Sequence, residues 1–362
     1  MQNNLNYNLN IHVYSMINFR ILKSHRLVLI ILVLFIFISG NAFAKEKKDL
    51  NRNNSNSCKS YEVPEIAGDY VLIYKPKADV FSLKNTKNYK TGQTYTNWQP
   101  NDHTFIKGPD KRWHCFGITK PNDAEGDGVH EGEGLCFHAV APIGELANAF
   151  RFESWKDKPK IDVAGAGWAP CVIKIGNKYS IISSNKGHAV STDLYSWKDN
   201  GKLAIKGGNR DPNIMYWNGT YYLVRCNDSS VILVTSKDFV HWTDPVDIFV
   251  APDDKWNCES PVLMQHNGKF YLFWCLWDEG GSGAELPVMY KGHDPSTYDY
   301  RTFVYVSDTP LDFNNRKPIT QIKAHAPEII KDEKGNYFIS SADYPNRGIN
   351  IARLKWISPQ KK

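Results

Sequence analysis

One short unit recurs along this chain and limits what it can fold into: a glycine turn that opens onto an apolar strand. It reads Gly176-Asn177-Lys178-Tyr179, Gly219-Thr220-Tyr221, Gly268-Lys269-Phe270 and Gly335-Asn336-Tyr337. Seven to ten residues ahead of each glycine stands a strand start marked by proline: Trp168-Ala169-Pro170, Arg210-Asp211-Pro212, Glu259-Ser260-Pro261 and His325-Ala326-Pro327. A fifth start, Asn101-Asp102-His103, lacks the proline and leads through Thr104-Phe105-Ile106 to Trp113-His114-Cys115-Phe116. A second repeat, Ser191-Thr192-Asp193-Leu194-Tyr195-Ser196-Trp197, returns 45 residues later as Ser236-Lys237-Asp238-Phe239-Val240-His241-Trp242, with Phe152-Glu153-Ser154-Trp155 a weaker copy. Between these signals lie short runs of β-branched and aromatic residues broken by Gly, Asn and Asp, with no long helical stripe. Periods of roughly 40 to 60 residues, each holding several short strands, are the mark of propeller blades. Five starts predict an all-β chain folded as a five-bladed β-propeller. A blade begins with its innermost strand, so the five starts are expected to face one central channel from five directions.

The residues ahead of the repeats have a different character. Arg20, Lys23 and Arg26 precede an uncharged apolar run from Leu27 to Ser39, followed by the small-residue site Ala42-Phe43-Ala44. This pattern reads as an export signal over 1–44, with a mature start at Lys45 and a secreted or periplasmic destination. The run of 13 residues is short for a membrane span. Met16 offers an alternative start for a signal of more usual length. Residues 45–60 are rich in Lys and Asn without apolar periodicity and are expected to form a flexible leader. The propeller is expected over 61–362.

Charge and cysteine content narrow the partners. The formal net charge is +6, and the three basic residues of the export signal account for half of it. The remainder is too small to point to nucleic acid or an anionic membrane, and it suits a neutral or mildly acidic ligand. No membrane contact is expected after signal cleavage, and the protein is expected to act as a monomer. Seven cysteines follow the signal, with no C-x-x-C pair. An odd number in an oxidising compartment leaves at least one thiol free or paired between chains. Cys115 and Cys136 stand on neighbouring strands, although isolated buried thiols are the favoured reading.

Three of the five starts carry carboxylates, Asp102, Asp211 and Glu259; the others carry Trp168 and His325. One Asp or Glu at a strand start is an ordinary turn cap. Three at equivalent blade positions call for a shared role. Cleaving a glycosidic bond needs an acid to protonate the leaving oxygen and a second carboxylate that activates water or attacks the sugar. A third carboxylate nearby raises the pKa of the acid by repulsion.

The order Asp102, Trp168-Ala169-Pro170, Arg210-Asp211-Pro212, Glu259-Ser260-Pro261 and His325 resembles the five-bladed propellers of glycoside hydrolase family 43, the arabinanase and xylosidase group, and their relatives in families 32, 62 and 68. The resemblance runs from Asn97 to Trp356. It implies hydrolysis of an oligo- or polysaccharide, by inversion, with Asp102 as general base, Asp211 as pKa modulator and Glu259 as general acid. It also implies that Arg210 binds sugar hydroxyls and that His325 lies near a calcium or sodium ion in the channel; no cofactor is required. Two departures stand out: His103 follows the first Asp where proline is usual, and Ser260 occupies a place where glycine is common. Trp168, Trp256 and His103 are further candidates for contact with sugar.

Two other readings fit part of this pattern. A retaining, fructosidase-like enzyme related to family 32 would use Asp102 as nucleophile, but that family's Trp-x-Asn-Asp-Pro-Asn-Gly signature is missing around it. A propeller lectin would bind glycan without cutting it. The acidic, Gly-rich stretch Asn122 to Glu133 lacks the spacing of an EF-hand loop and is read as a solvated loop beside the cleft. That loop and the segment Asp278 to Leu286 are expected to decide endo or exo action.

Overall fold

In the computed structural model the described residues are 61–77, 91–95, 98–121, 135–151, 153–161, 163–208, 210–252, 256–278, 301–343 and 348–359. The leader, the loop 122–133 and most of the segment 278–286 therefore lie outside them. The described residues fall in one compact unit, Tyr61–Lys362.

They form five four-stranded antiparallel sheets and, among themselves, no α-helix. Blade one holds β2 (Trp98–Lys107), β3 (Trp113–Pro121), β4 (Leu135–Val140) and β5 (Lys156–Ile161). Blade two holds β6 (Cys171–Ile175), β7 (Lys178–Ile182), β8 (Gly187–Ser191) and β9 (Trp197–Lys202). Blade three follows with β10 (Arg210–Trp217), β11 (Thr220–Asn227), β12 (Ser230–Ser236) and β13 (Val246–Val250), and blade four with β14 (Trp256–His266), β15 (Lys269–Asp278), β16 (Arg301–Ser307) and β17 (Thr320–Lys323). In these four the strands lie in sequence order across the sheet, as hairpin-connected chains do.

Blade five is assembled from both ends of the described chain. β18 (Ile329–Lys331), β19 (Tyr337–Asp343) and β20 (Gly348–Ile357) are completed on the outside by β1 (Val63–Tyr74). The register runs from Val63 opposite Ile357 to Tyr74 opposite Ile349. Repeat spacing alone does not reveal this closure. Glu62 secures it from the neighbouring blade: its carboxylate accepts from Asn267 Nδ2 (2.6 Å) and lies 2.8 Å from His266 Nε2, and its carbonyl accepts from the Tyr271 hydroxyl (2.8 Å).

Both repeats have a local physical cause. The glycines lie in the hairpins that join the first two strands of a blade. At Asn218-Gly219 and Asn267-Gly268 both residues have positive φ (47° and 73°, 46° and 80°), the backbone of a two-residue turn whose twist matches the strands. The Ser-x-Asp repeats lie between the third and fourth strands. Ser191 Oγ accepts from the Leu194 amide, and Asp193 Oδ1 from the Tyr195 and Ser196 amides. Ser236 and Asp238 repeat the arrangement around Phe239, Val240 and His241. Leu194 and Phe239 take left-handed φ of 70° and 65° and turn their side chains under the loop.

The core is distributed between blades. Five buried clusters sit at the five blade-to-blade contacts, among them Phe249, Trp274, Phe303 and Tyr305 between blades three and four and Ile73, Phe137, Phe338 and Ile351 where blade five meets blade one. Cys115, Cys136, Cys171, Cys226, Cys258 and Cys275 are all buried. Cys115 stands opposite Ala139, and Cys136 opposite Ile118, so the two are not cross-strand partners. Among the described residues no helix is long and apolar enough to cross a membrane.

Candidate active site

Four of the five starts share one backbone device. Ala169, Asp211, Ser260 and Ala326, each directly before its proline, have φ of 43°, 55°, 45° and 46°. Left-handed φ is unusual for residues with a Cβ and costs on the order of 1–3 kcal/mol each, so the surrounding structure must hold it in place. Asp102, with histidine after it, is not among the residues of positive φ. The three starts that carry carboxylates have a second feature in common: the strand register slips between Pro100 and His103, between Arg210 and Asn213, and between Glu259 and Val262. A bulge re-aims side chains at a strand end, and here it does so in blades one, three and four. In blade one Gly117 makes room for it, because a Cβ there would lie 2.8 Å from the Asp102 carbonyl oxygen.

These starts line one cleft, with walls that include Asp102, His103, Asp211, Asn213, Ser260 and Glu328. Inside it one residue connects two of the carboxylates. The Ser260 hydroxyl donates to Asp102 Oδ1, and the Ser260 amide donates to Asp211 Oδ2 (3.2 Å). Glu259, the preceding residue, accepts from Arg210 Nη1 at 3.2 Å, and Arg210 Nη2 donates to the Cys258 carbonyl (3.3 Å). The Asp211 amide donates to Ser184 Oγ (3.1 Å). Asp102 and Asp211 thus meet at Ser260, and Glu259, the residue before it, is held by Arg210. Burial pushes the Asp211 carboxyl above its ordinary range, while Arg210 and the Ser260 amide pull the other way.

The other candidates divide. Trp168 is 47% exposed and presents a ring to solvent. Trp256, expected to stack on sugar, is instead buried and lies parallel to Phe303 at 6.3 Å in the core between blades three and four. His103 lies on the cleft wall but is 2% exposed, with Nδ1 at 3.0 Å from the Asn101 carbonyl and Nε2 at 2.7 Å from Ser340 Oγ. Burial lowers its pKa to about 4, which keeps the ring neutral at pH 7. His325 is buried too. Its Nε2 meets Asn101 Oδ1 at 2.9 Å and its Nδ1 lies 3.6 Å from Cys275 Sγ. With both ring nitrogens engaged, and no group of three or more His, Cys, Asp or Glu arranged to hold a metal among the described residues, these side chains do not fit a directly ligated ion.

One residue of the cleft is absent from the sequence reading. Glu328, directly after Pro327, occupies in blade five the place that Asn213 holds in blade three. Burial pushes its carboxyl up to about 8, opposed only by a hydrogen bond with Asn213. The signal for it was positional: it is the first residue past the proline at a blade start. The consequence for stability has a definite sign. Between about pH 4.5, the ordinary value, and about 8 the folded protein keeps a proton that the unfolded chain has lost, so stability falls as pH rises through this window. Glu328→Gln keeps the shape and removes the titration. Over pH 5 to 8.5 the wild type is expected to lose about 1–3 kcal/mol relative to the variant, measured by thermal or denaturant unfolding. Parallel pH profiles for the two proteins would contradict this.

The sequence profile of glycosyl hydrolases family 43 matches residues 201–356, a stretch that includes Arg210, Asp211, Glu259 and His325 but not Asp102. A thermostable family-43 glycoside hydrolase superposes with a TM-score of 0.50 at 17% identity, over 73% of this chain and 95% of that one. An α-L-arabinofuranosidase of Clostridium thermocellum gives 0.49 at 15% identity, over 73% and 94% of the two chains. The Bombyx mori family-32 β-fructofuranosidase gives 0.46 at 15%, over 71% and 58%. No curated protein matches the chain in sequence. The fold and the profile match together define a glycoside hydrolase of the five-bladed propeller class. Within that class the chain is similar to family 43.

Proposed function

We propose that this protein is an exported enzyme that hydrolyses a glycosidic bond in an oligo- or polysaccharide by inversion, with Glu259 as general acid, Asp102 as general base and Asp211 as modulator of the acid. The observation that carries this reading is the meeting of Asp102 and Asp211, from blades one and three, at Ser260 of blade four in one cleft, with Glu259 the residue directly before Ser260 and paired with Arg210. Two carboxyl groups on opposite sides of a scissile bond are what inversion needs: one protonates the leaving oxygen while the other takes a proton from the attacking water. Bond breaking and water attack then occur in one displacement, and no cofactor takes part.

Arg210 links binding to this chemistry. In the free enzyme its guanidinium pairs with Glu259, 3.2 Å away. Sugar hydroxyls compete for the same guanidinium donors. The exposed ring of Trp168 offers an apolar face to the same sugar. The export signal read over 1–44 puts the substrate outside the cytoplasm, and the modest net charge suits a neutral glycan.

The test is a screen of the chain from Lys45 onward against aryl glycosides of arabinose, xylose, galactose and fructose and against plant and algal oligosaccharides, with Glu259→Gln in parallel. Release of sugar from an oligosaccharide by the wild type alone, with the anomeric configuration of the first product inverted on NMR, is the expected result. Binding by both proteins without release by either would make the protein a lectin, and a retained configuration would replace inversion with a covalent route.

A further inference from the structure

We propose that Ser260 is a positioning residue that sets the geometry of the general base: its hydroxyl holds Asp102 and its amide holds Asp211, fixing both relative to Glu259. This rests on the reading of Asp102 and Glu259 as base and acid, and it adds to the site a residue that neither the carboxylate pattern nor the profile match assigns.

Three observations carry it. Ser260 donates two hydrogen bonds to carboxylates from two other blades, so one residue spans blades one, three and four. Its backbone is held at φ 45°, a region where glycine rests without strain, yet a side chain is kept there. The hydroxyl is not needed to build the turn, because Ala169 and Ala326 adopt nearly the same φ at equivalent starts with only a methyl group. At Ser260 the oxygen therefore serves something other than the strand start, and the group it reaches is Asp102. A carboxylate that must take a proton from water gains by being fixed in one orientation, because a base rotated out of line loses reach to the water.

The experiment compares wild type, Ser260→Ala and Ser260→Gly on the oligosaccharide that the wild type cleaves fastest in the panel above, with Asp102→Asn and Glu259→Gln alongside. Both serine variants are expected to lose about tenfold to thirtyfold in kcat with KM changed less than threefold. The acidic limb of kcat/KM should move up by about half to one pH unit, since a hydrogen bond that favours the ionised base has been removed. Stability separates positioning from structure. Ser260→Gly relieves the left-handed strain while keeping the amide, so its Tm should equal or exceed that of the wild type although its activity falls. Wild-type kcat and an unmoved acidic limb in both serine variants, with Asp102→Asn and Glu259→Gln inactive, would overturn this inference and leave the catalytic reading standing. Activity that falls only in step with Tm would overturn it as well. Full activity in Asp102→Asn and Glu259→Gln would overturn both.

Discussion

Glu259→Gln is expected to lower turnover of an unactivated oligosaccharide by about 10²–10⁴-fold, equivalent to about 3–5 kcal/mol of transition-state stabilisation. The amide preserves shape and some hydrogen bonding but has no proton to give to the departing oxygen. The loss should depend on the leaving group: an aryl glycoside whose phenolate leaves without protonation should be much less affected than an oligosaccharide. Folding should be nearly untouched, because the Glu259 side chain is 17% exposed and pairs with Arg210 in a partly solvated site, and such pairs contribute little to stability. Steady-state kinetics on both substrate types check the result. More than a few per cent of wild-type activity on the oligosaccharide would remove Glu259 from the role of acid.

Asp102→Asn is expected to produce a loss of similar size with a different signature. A base activates water whatever the leaving group, so aryl glycosides and oligosaccharides should suffer alike. The acidic limb of the pH profile, which reports the base, should disappear. Azide, an anionic nucleophile that needs no deprotonation, should restore turnover by attacking the anomeric carbon as the sugar–oxygen bond breaks. The product would be a glycosyl azide of inverted configuration. Neither azide rescue nor loss of the limb would be seen if Asp102 only supported the turn at Asn101-Asp102-His103. The two variants therefore assign the carboxylates separately, from kinetics alone.

Much of this protein was determined locally and was legible in the order of its residues. The glycine turns and the Ser-x-Asp loops are made by contacts within a few residues, such as Asp193 with the Tyr195 and Ser196 amides. Their spacing therefore carries the blade count. The places of Asp102 and Asp211 follow in turn, because the starts of the blades border the central cleft. What only the tertiary structure decided depends on groups far apart in sequence. The pairing of β1 with β20 joins Val63 to Ile357, and no local pattern announces that partner. Trp256 and Trp168 both stand near blade starts, yet burial against Phe303 takes one into the core while the other remains exposed. The roles of Ser260 and Glu328 were hidden for the same reason. A serine after a glutamate says nothing of a hydroxyl that reaches Asp102 across 158 positions of chain, and a glutamate after a proline gives no sign that burial will hold its proton to about pH 8. Short-range hydrogen bonds write themselves into the sequence as motifs; burial and bonding between blades exist only once the ring has closed.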